Sequence, residues 1–267
     1  MKLTLRTAPE VPLEAEVISP ATLFGKSAQE IHKLTLFYGN RTAELGEFFR
    51  VEGEANGVLE LEGDLSRVKL IGSDMSDGQL IIDGDVGTHL GACMSGGEIV
   101  VNGNAGDWVG REMNGGRITI KGDAGHMVGS AVRGSAVGIL GGEIIIHGNC
   151  RNEVGSGMRR GLIVIGGDSG DFTGVNMLAG TLVVLGRLGI RTGAGMRRGS
   201  IVSMNGAEML PTFSYSCTYR PGFLRFYLNH LRQLGLPVSD DQMQGNYQRW
   251  CGDAIELNKG EILIYQA

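Results

Sequence analysis

The segment Gly116-Arg117-Ile118-Thr119-Ile120-Lys121-Gly122 alternates apolar and polar positions between two glycines. A period of two marks a half-buried β-strand. The same short strand returns along the chain, with paired apolar positions at Leu59/Leu61, Leu80/Ile82, Ile99/Val101, Ile118/Ile120, Ile144/Ile146, Ile163/Ile165 and Leu182/Val184, then Ile201. Its opening glycines fall at Gly78, Gly97, Gly116, Gly142, Gly161, Gly180 and Gly199, 19 residues apart except for one interval of 26. A fixed period of this size predicts stacked supersecondary units. The long interval reads as one repeat carrying an insertion of seven residues within Ser130–Leu140. Such an insertion is either a plain loop or a docking knob.

A turn follows each strand, as glycine and then Asp or Asn: Gly84-Asp85, Gly103-Asn104, Gly122-Asp123, Gly148-Asn149 and Gly167-Asp168. Glycine supplies positive φ there, and Asp or Asn can bond to nearby backbone. Next comes a small or apolar residue (Val86, Ala105, Ala124, Cys150, Ser169, Leu188), then a second inward residue before the next glycine, such as Leu90, Val109, Val128 or Val154. Methionine recurs at Met94, Met113, Met158, Met177 and Met196, a column suited to filling an irregular corner of a core. Several turns and short strands in 19 residues describe one coil. The predicted fold is all-β: a single-stranded right-handed parallel β-helix of about seven coils of about 19 residues. Residues 57–206 form this rod, and residues 1–56 are an N-terminal capping segment with strand fragments and a short helical turn near Ser27–His32. Residues 207–267 pack on the rod with an amphipathic helix over Pro221–Gly235 and a final strand over Ile262–Tyr265.

Composition narrows the function. Glycine makes up 45 of 267 residues and concentrates in the repeat, yet only 6 prolines and no third-residue glycine exclude collagen. A net charge of −5 argues against a phosphate-gripping nucleic-acid binder. No apolar run is long enough to cross a membrane, and Met1–Leu5 opens an alternating strand rather than a secretion signal. Four cysteines without a CxxC pair fit reduced thiols in the cytoplasm.

The outward strand positions carry the functional question. Their central column runs through Ile81, Val100, Ile145, Val164 and Val183, too apolar for a wet face. Either the C-terminal helix or a partner protein covers it, and the column is the predicted partner interface. A second outward feature is the pair of segments Met158-Arg159-Arg160-Gly161 and Met196-Arg197-Arg198-Gly199. They occupy equivalent positions two coils apart, so Arg159, Arg160, Arg197 and Arg198 form a candidate carboxylate-binding edge. Gly25-Lys26-Ser27 is not a phosphate loop, because Pro20 stands where the first glycine is required. The glycines at 155/157 and 193/195 precede strands, not helices, so they are turn residues rather than a dinucleotide fingerprint. His89 and His126 lie in different coils without ligand spacing, no metal site is expected, and no catalytic constellation stands out.

The glycine repeat, with its recurring Gly-Asp/Asn turn and methionine, resembles the β-helix shared by the C-terminal domain of the glutamate synthase large subunit and the C (gamma) subunit of formylmethanofuran dehydrogenase. The stretch Ile31-His32-Lys33-Leu34-Thr35-Leu36-Phe37-Tyr38-Gly39-Asn40-Arg41, with Leu45-Gly46 and Phe49, is similar to the latter family. That resemblance implies one of two settings. One is the C (gamma) subunit of the bacterial formyltransferase/hydrolase complex, which moves a formyl group from formyl-tetrahydromethanopterin to a methanofuran-type carrier and releases formate. The other is the corresponding C-type subunit of a molybdenum or tungsten formylmethanofuran dehydrogenase. In either, it implies a scaffold without catalytic residues or a bound cofactor of its own. The hydrolytic setting adds amidohydrolase-like, molybdopterin-enzyme-like and formyltransferase subunits as partners. The rival role is binding: the arginine edge would hold the polyglutamate tail of the carrier. A self-contained enzyme has the least support.

Overall fold

A computed structural model describes residues 1–267. Thirteen strands form one sheet and four form another. Within the large sheet the strands from Val58–Glu62 to Arg198–Ser203 are all parallel, each paired with the strand one repeat away. Register follows the apolar pattern: Leu59 faces Leu80, Ile99 faces Ile118, and Leu182 faces Ile201. The long interval leaves it intact, since Ile118 stands opposite Ile144. Slipping by one residue would turn every inward side chain outward, so burial locks this register. A second parallel ladder of single bridges runs Leu65, Val86, Ala105, Ala124, Cys150, Ser169, Leu188. Each repeat therefore contributes one strand and one bridging residue, and a core of 47 buried residues fills the space inside. The five repeating methionines are all fully buried there. Where the inward position is polar it is satisfied: Thr173 Oγ1 lies 2.6 Å from Ser169 Oγ and donates to Gly170 O at 3.0 Å.

The Asp/Asn turn builds its own ladder. Asp85 Oδ1 accepts from Asn104 N at 2.7 Å, Asn104 Oδ1 from Asp123 N at 2.9 Å, Asp123 Oδ1 from Asn149 N at 2.6 Å, and Asn149 Oδ1 from Asp168 N at 2.8 Å. From Asp85 to Asp168 acid and amide alternate, so no two carboxylates stack directly along that stretch; Asp64, one repeat earlier, instead caps its own turn by accepting from Ser66 N at 3.0 Å. The opening glycines are required sterically. At Gly116, φ is +85° and a Cβ would sit 2.7 Å from Gly97 O.

One corner departs from the usual turn chemistry. Leu70, His89, Trp108, Met127, Glu153, Phe172 and Arg191 occupy the same repeat position, all with φ between 60° and 65°. Each is a bulky residue in the left-handed region, which glycine favours. Stacking fixes them: His89 N donates to Asp107 O at 2.9 Å and Trp108 N to His126 O at 2.8 Å, copy after copy.

The two ends are closed by reversals of direction. Lys2–Leu5 pairs parallel with Val58–Glu62 but antiparallel with Phe49–Glu52. At the far end Lys259–Gln266 runs parallel to Arg198–Ser203, and Asn246–Gly252 and Ser214–Tyr219 follow antiparallel. The helical turn expected near Ser27 is Ala28–His32, with Ser27 and Glu30 forming a reciprocal cap. The C-terminal helix is shorter than the sequence predicts, Leu224–Gln233, because the chain from Pro221 to Phe223 forms only the turn that leads into it. Strand Ser214–Tyr219 has no counterpart in the sequence pattern; its residues are almost all exposed, so it has no alternation to read.

Candidate functional site

The outer face of the large sheet divides in two. Ile145, Val164 and Val183 are 0% exposed, packed with Val202 and Leu263 against Leu224, Leu228 and Leu231 of the C-terminal helix. These three positions therefore do not form the partner interface expected of them. Their apolar character serves an internal core of 14 residues. A polar clasp pins the helix, with His230 Nε2 3.0 Å from Glu143 Oε1 and Arg117 Nε donating to Glu143 Oε2 at 2.9 Å. Upstream, Ile81 and Val100 stay partly exposed and belong to neither core. The remaining open part of the predicted interface is thus small, flanked by Glu60, Glu98 and Asp83.

The arginine edge is assembled as the repeat spacing predicts. Arg159, Arg160, Arg197 and Arg198 line one open cavity of about 590 Å³ together with Tyr227 and Leu257. All four are exposed, while Met158 and Met196 beside them are buried and hold the corners in place. Arg197 alone has an acidic partner, Glu256, at 3.0 Å. Two further cavities continue the groove. One of about 310 Å³ shares Leu178 and Arg197 and reaches the inserted loop at Ser135 and Ala136. The other, of about 580 Å³, shares Gly161 and Tyr227 and runs under Phe226 and His230. The insertion is exposed over Arg133–Ala136 and again at Leu140, while Ile139 between them returns to the core.

Sequence reasoning missed Tyr227, Phe226, Leu257 and Glu256. Phe226 was findable, because helical spacing puts it opposite the Leu224/Leu228/Leu231 stripe. Leu257 and Glu256 sit in a connection with no periodic signal.

Titratable groups elsewhere do not converge. His89 stacks on Trp108 with ring centroids 5.8 Å apart, and burial, followed by Arg111 and Lys69, lowers its pKa. Burial raises the Cys150 thiol strongly, which makes it an inert core residue. No three His, Cys, Asp or Glu side chains are placed to hold a metal ion. No helix is long and apolar enough to cross a membrane.

The repeat itself matches the GXGXG motif family over residues 69–212, more than half of the chain. The chain belongs to this family. It is 42% identical over 95 residues to the C-type subunit of a tungsten-containing formylmethanofuran dehydrogenase from Methanothermobacter thermautotrophicus. It is 46% identical over 84 residues to the C-type subunit of the molybdenum-containing enzyme from Methanothermobacter wolfeii. These alignments span 34% and 31% of this chain and only 35% and 21% of the relatives. A solved structure of the formyltransferase/hydrolase complex from Methylorubrum extorquens, in complex with methylofuran, contains a chain that matches from end to end. The match covers 100% of both chains at 35% identity with a TM-score of 0.93. The similar proteins are thus subunits of multi-subunit assemblies, and the sequence resemblance to the C-type subunit of formylmethanofuran dehydrogenase holds.

Proposed function

We propose that this chain is a structural subunit of a cytoplasmic formyltransferase/hydrolase complex. That complex would transfer formyl from formyl-tetrahydromethanopterin to a methanofuran-type carrier and release formate. The observation that carries this reading is the end-to-end match to a chain of the Methylorubrum extorquens complex, which includes both capping regions. The dehydrogenase relatives align over about a third of the chain, so they support the whole subunit less than that match does. The two parallel ladders fit opposite walls of a right-handed parallel β-helix, with residues 1–56 and 207–267 as its caps. A rod whose interior is filled with side chains offers surface rather than a reaction chamber, which suits a scaffold.

Purification of the tagged chain under native conditions from its own cell tests this. Recovery with a formyltransferase and an amidohydrolase-like subunit, without iron–sulfur proteins, is the expected result. Recovery with iron–sulfur and molybdopterin subunits would transfer it to a dehydrogenase.

A further inference from the structure

Resting on the subunit reading, we infer that the arginine groove and the apolar residues around it form a docking surface for an acidic, apolar-anchored segment of a partner subunit. The first argument is charge. The chain carries a net −5, yet Arg159, Arg160 and Arg198 converge on one groove with no acidic side chain paired to any of them. Lys259 stands beside Arg198 in the strand register and adds to the field. A locally cationic surface on an anionic protein selects a carboxylate-rich counterpart and repels the rest of its own kind.

The second argument is the apolar rim. Phe226, 80% exposed, and Leu257, 51% exposed, lie on two separate elements that line the connected cavities of this groove, and Ile255, 74% exposed, stands two residues from Leu257 on the same loop. Aromatic and aliphatic anchors beside arginines are the composition of a protein interface core. A small carboxylate chain alone would need the arginines and not these anchors.

The third argument is rigidity. The loop bearing Ile255 and Leu257 is held from within by Asp253, which is 1% exposed. Its Oδ2 accepts from Gly195 N at 2.9 Å and its Oδ1 from Ile255 N at 3.2 Å, while its carbonyl accepts from Glu256 N and Asn258 N, both at 3.1 Å. Glu256 adds the bond to Arg197. The two apolar side chains are thus presented in a fixed frame, which lowers the ordering cost of binding.

The test uses the assembled complex purified through a tag on this chain. A photo-crosslinking residue replaces Phe226 or Leu257, and crosslinked peptides are identified by mass spectrometry. Both sites are expected to reach one contiguous stretch of another subunit that contains Asp or Glu. The triple variant R159E/R160E/R198E is expected to cut that crosslink at least tenfold; all three side chains are exposed, so the fold stays intact. Three outcomes overturn the inference: an intact complex with no crosslink from either site, a crosslinked stretch without acidic residues, or a yield unmoved by the triple variant. If the triple variant keeps its crosslinks but loses binding of a synthetic oligoglutamate peptide, the groove takes a small carboxylate chain instead. Recovery of the chain without any partner overturns the subunit reading itself, and the docking surface with it.

Discussion

Leu228→Ala isolates what holds the C-terminal helix to the outer face of the large sheet. Leu228 is 0% exposed within the 14-residue outer core, flanked along the helix by Leu224 and Leu231. Truncating a buried leucine removes apolar transfer energy and leaves a cavity, together about 2–5 kcal/mol. The helix meets the sheet through these three leucines, Tyr227 and the Glu143–His230 contact. The loss should therefore appear as local detachment and leave the inner core of 47 residues closed. Each ~1.4 kcal/mol is a factor of ten, so amides within Leu224–Gln233 should exchange roughly 30- to 4,000-fold faster. Amides of the strands around Ile118 and Ile144 should keep their protection. Hydrogen exchange with mass-spectrometric readout measures both at once. Unchanged protection in the helix, or loosening spread evenly over helix and strands, would refute the division into an outer and an inner core.

The same division gives a contrast between two charges. Val164→Asp buries an unpaired carboxylate under the helix and should cost several kcal/mol in a denaturant titration. Val100→Asp, on the open part of the face, should leave stability within about 0.5 kcal/mol and release partners in native purification; equal effects would sink the contrast. Asn149→Asp removes the Nδ2 donor that Asp123 accepts at 3.1 Å and stacks three acids in a row. A loss of about 1–2 kcal/mol at pH 7 that shrinks as the carboxylates protonate is expected from urea melts at two pH values. Gly116→Ala, forced at φ +85° against Gly97 O, should cost more than about 1 kcal/mol by thermal melt. His89 has a folded pKa lowered by burial, Arg111 and Lys69. Its unfolded form takes up the proton first, so it contributes stability above about pH 6.5 that is lost as pH falls through the folded pKa. His89→Asn, which keeps a residue tolerant of positive φ, should flatten that acid-side loss; an unchanged slope would mean His89 does not titrate on unfolding.

Much of the fold was legible because two signals agreed. The glycine interval fixed the unit, and the alternation of residues such as Leu80/Ile82 fixed which side faced inward; the structure buries that whole column. The left-handed corner was invisible because Leu70, Trp108 and Phe172 carry none of the glycine or asparagine that usually announces positive φ. Inter-repeat bonds, not local preference, hold it there. The outer column showed that something must cover it, but an apolar residue reads alike under a helix of its own chain and under a partner. Only the reach of Leu224–Gln233 separated Val164 from Val100. The arginine edge was legible from period alone, since equal offsets in a stacked chain are neighbours in space. Of its apolar rim, Phe226 could be read from the helix but Leu257 could not, because it lies outside any period.

The reversals that close both ends of the large sheet also set a length. A rod ending in bare parallel strands could add copies of itself and grow into a fibre. Antiparallel strands such as Phe49–Glu52 and Ser214–Tyr219 end the parallel stack on either side, so the distance between the two ends of the sheet grows with the number of repeats between them. Each repeat adds one interstrand step of about 4.8 Å. The chain is in effect a ruler graduated in whole steps. A lineage that gained or lost 19 residues would move whatever the two ends hold by one graduation, with every contact inside the rod preserved.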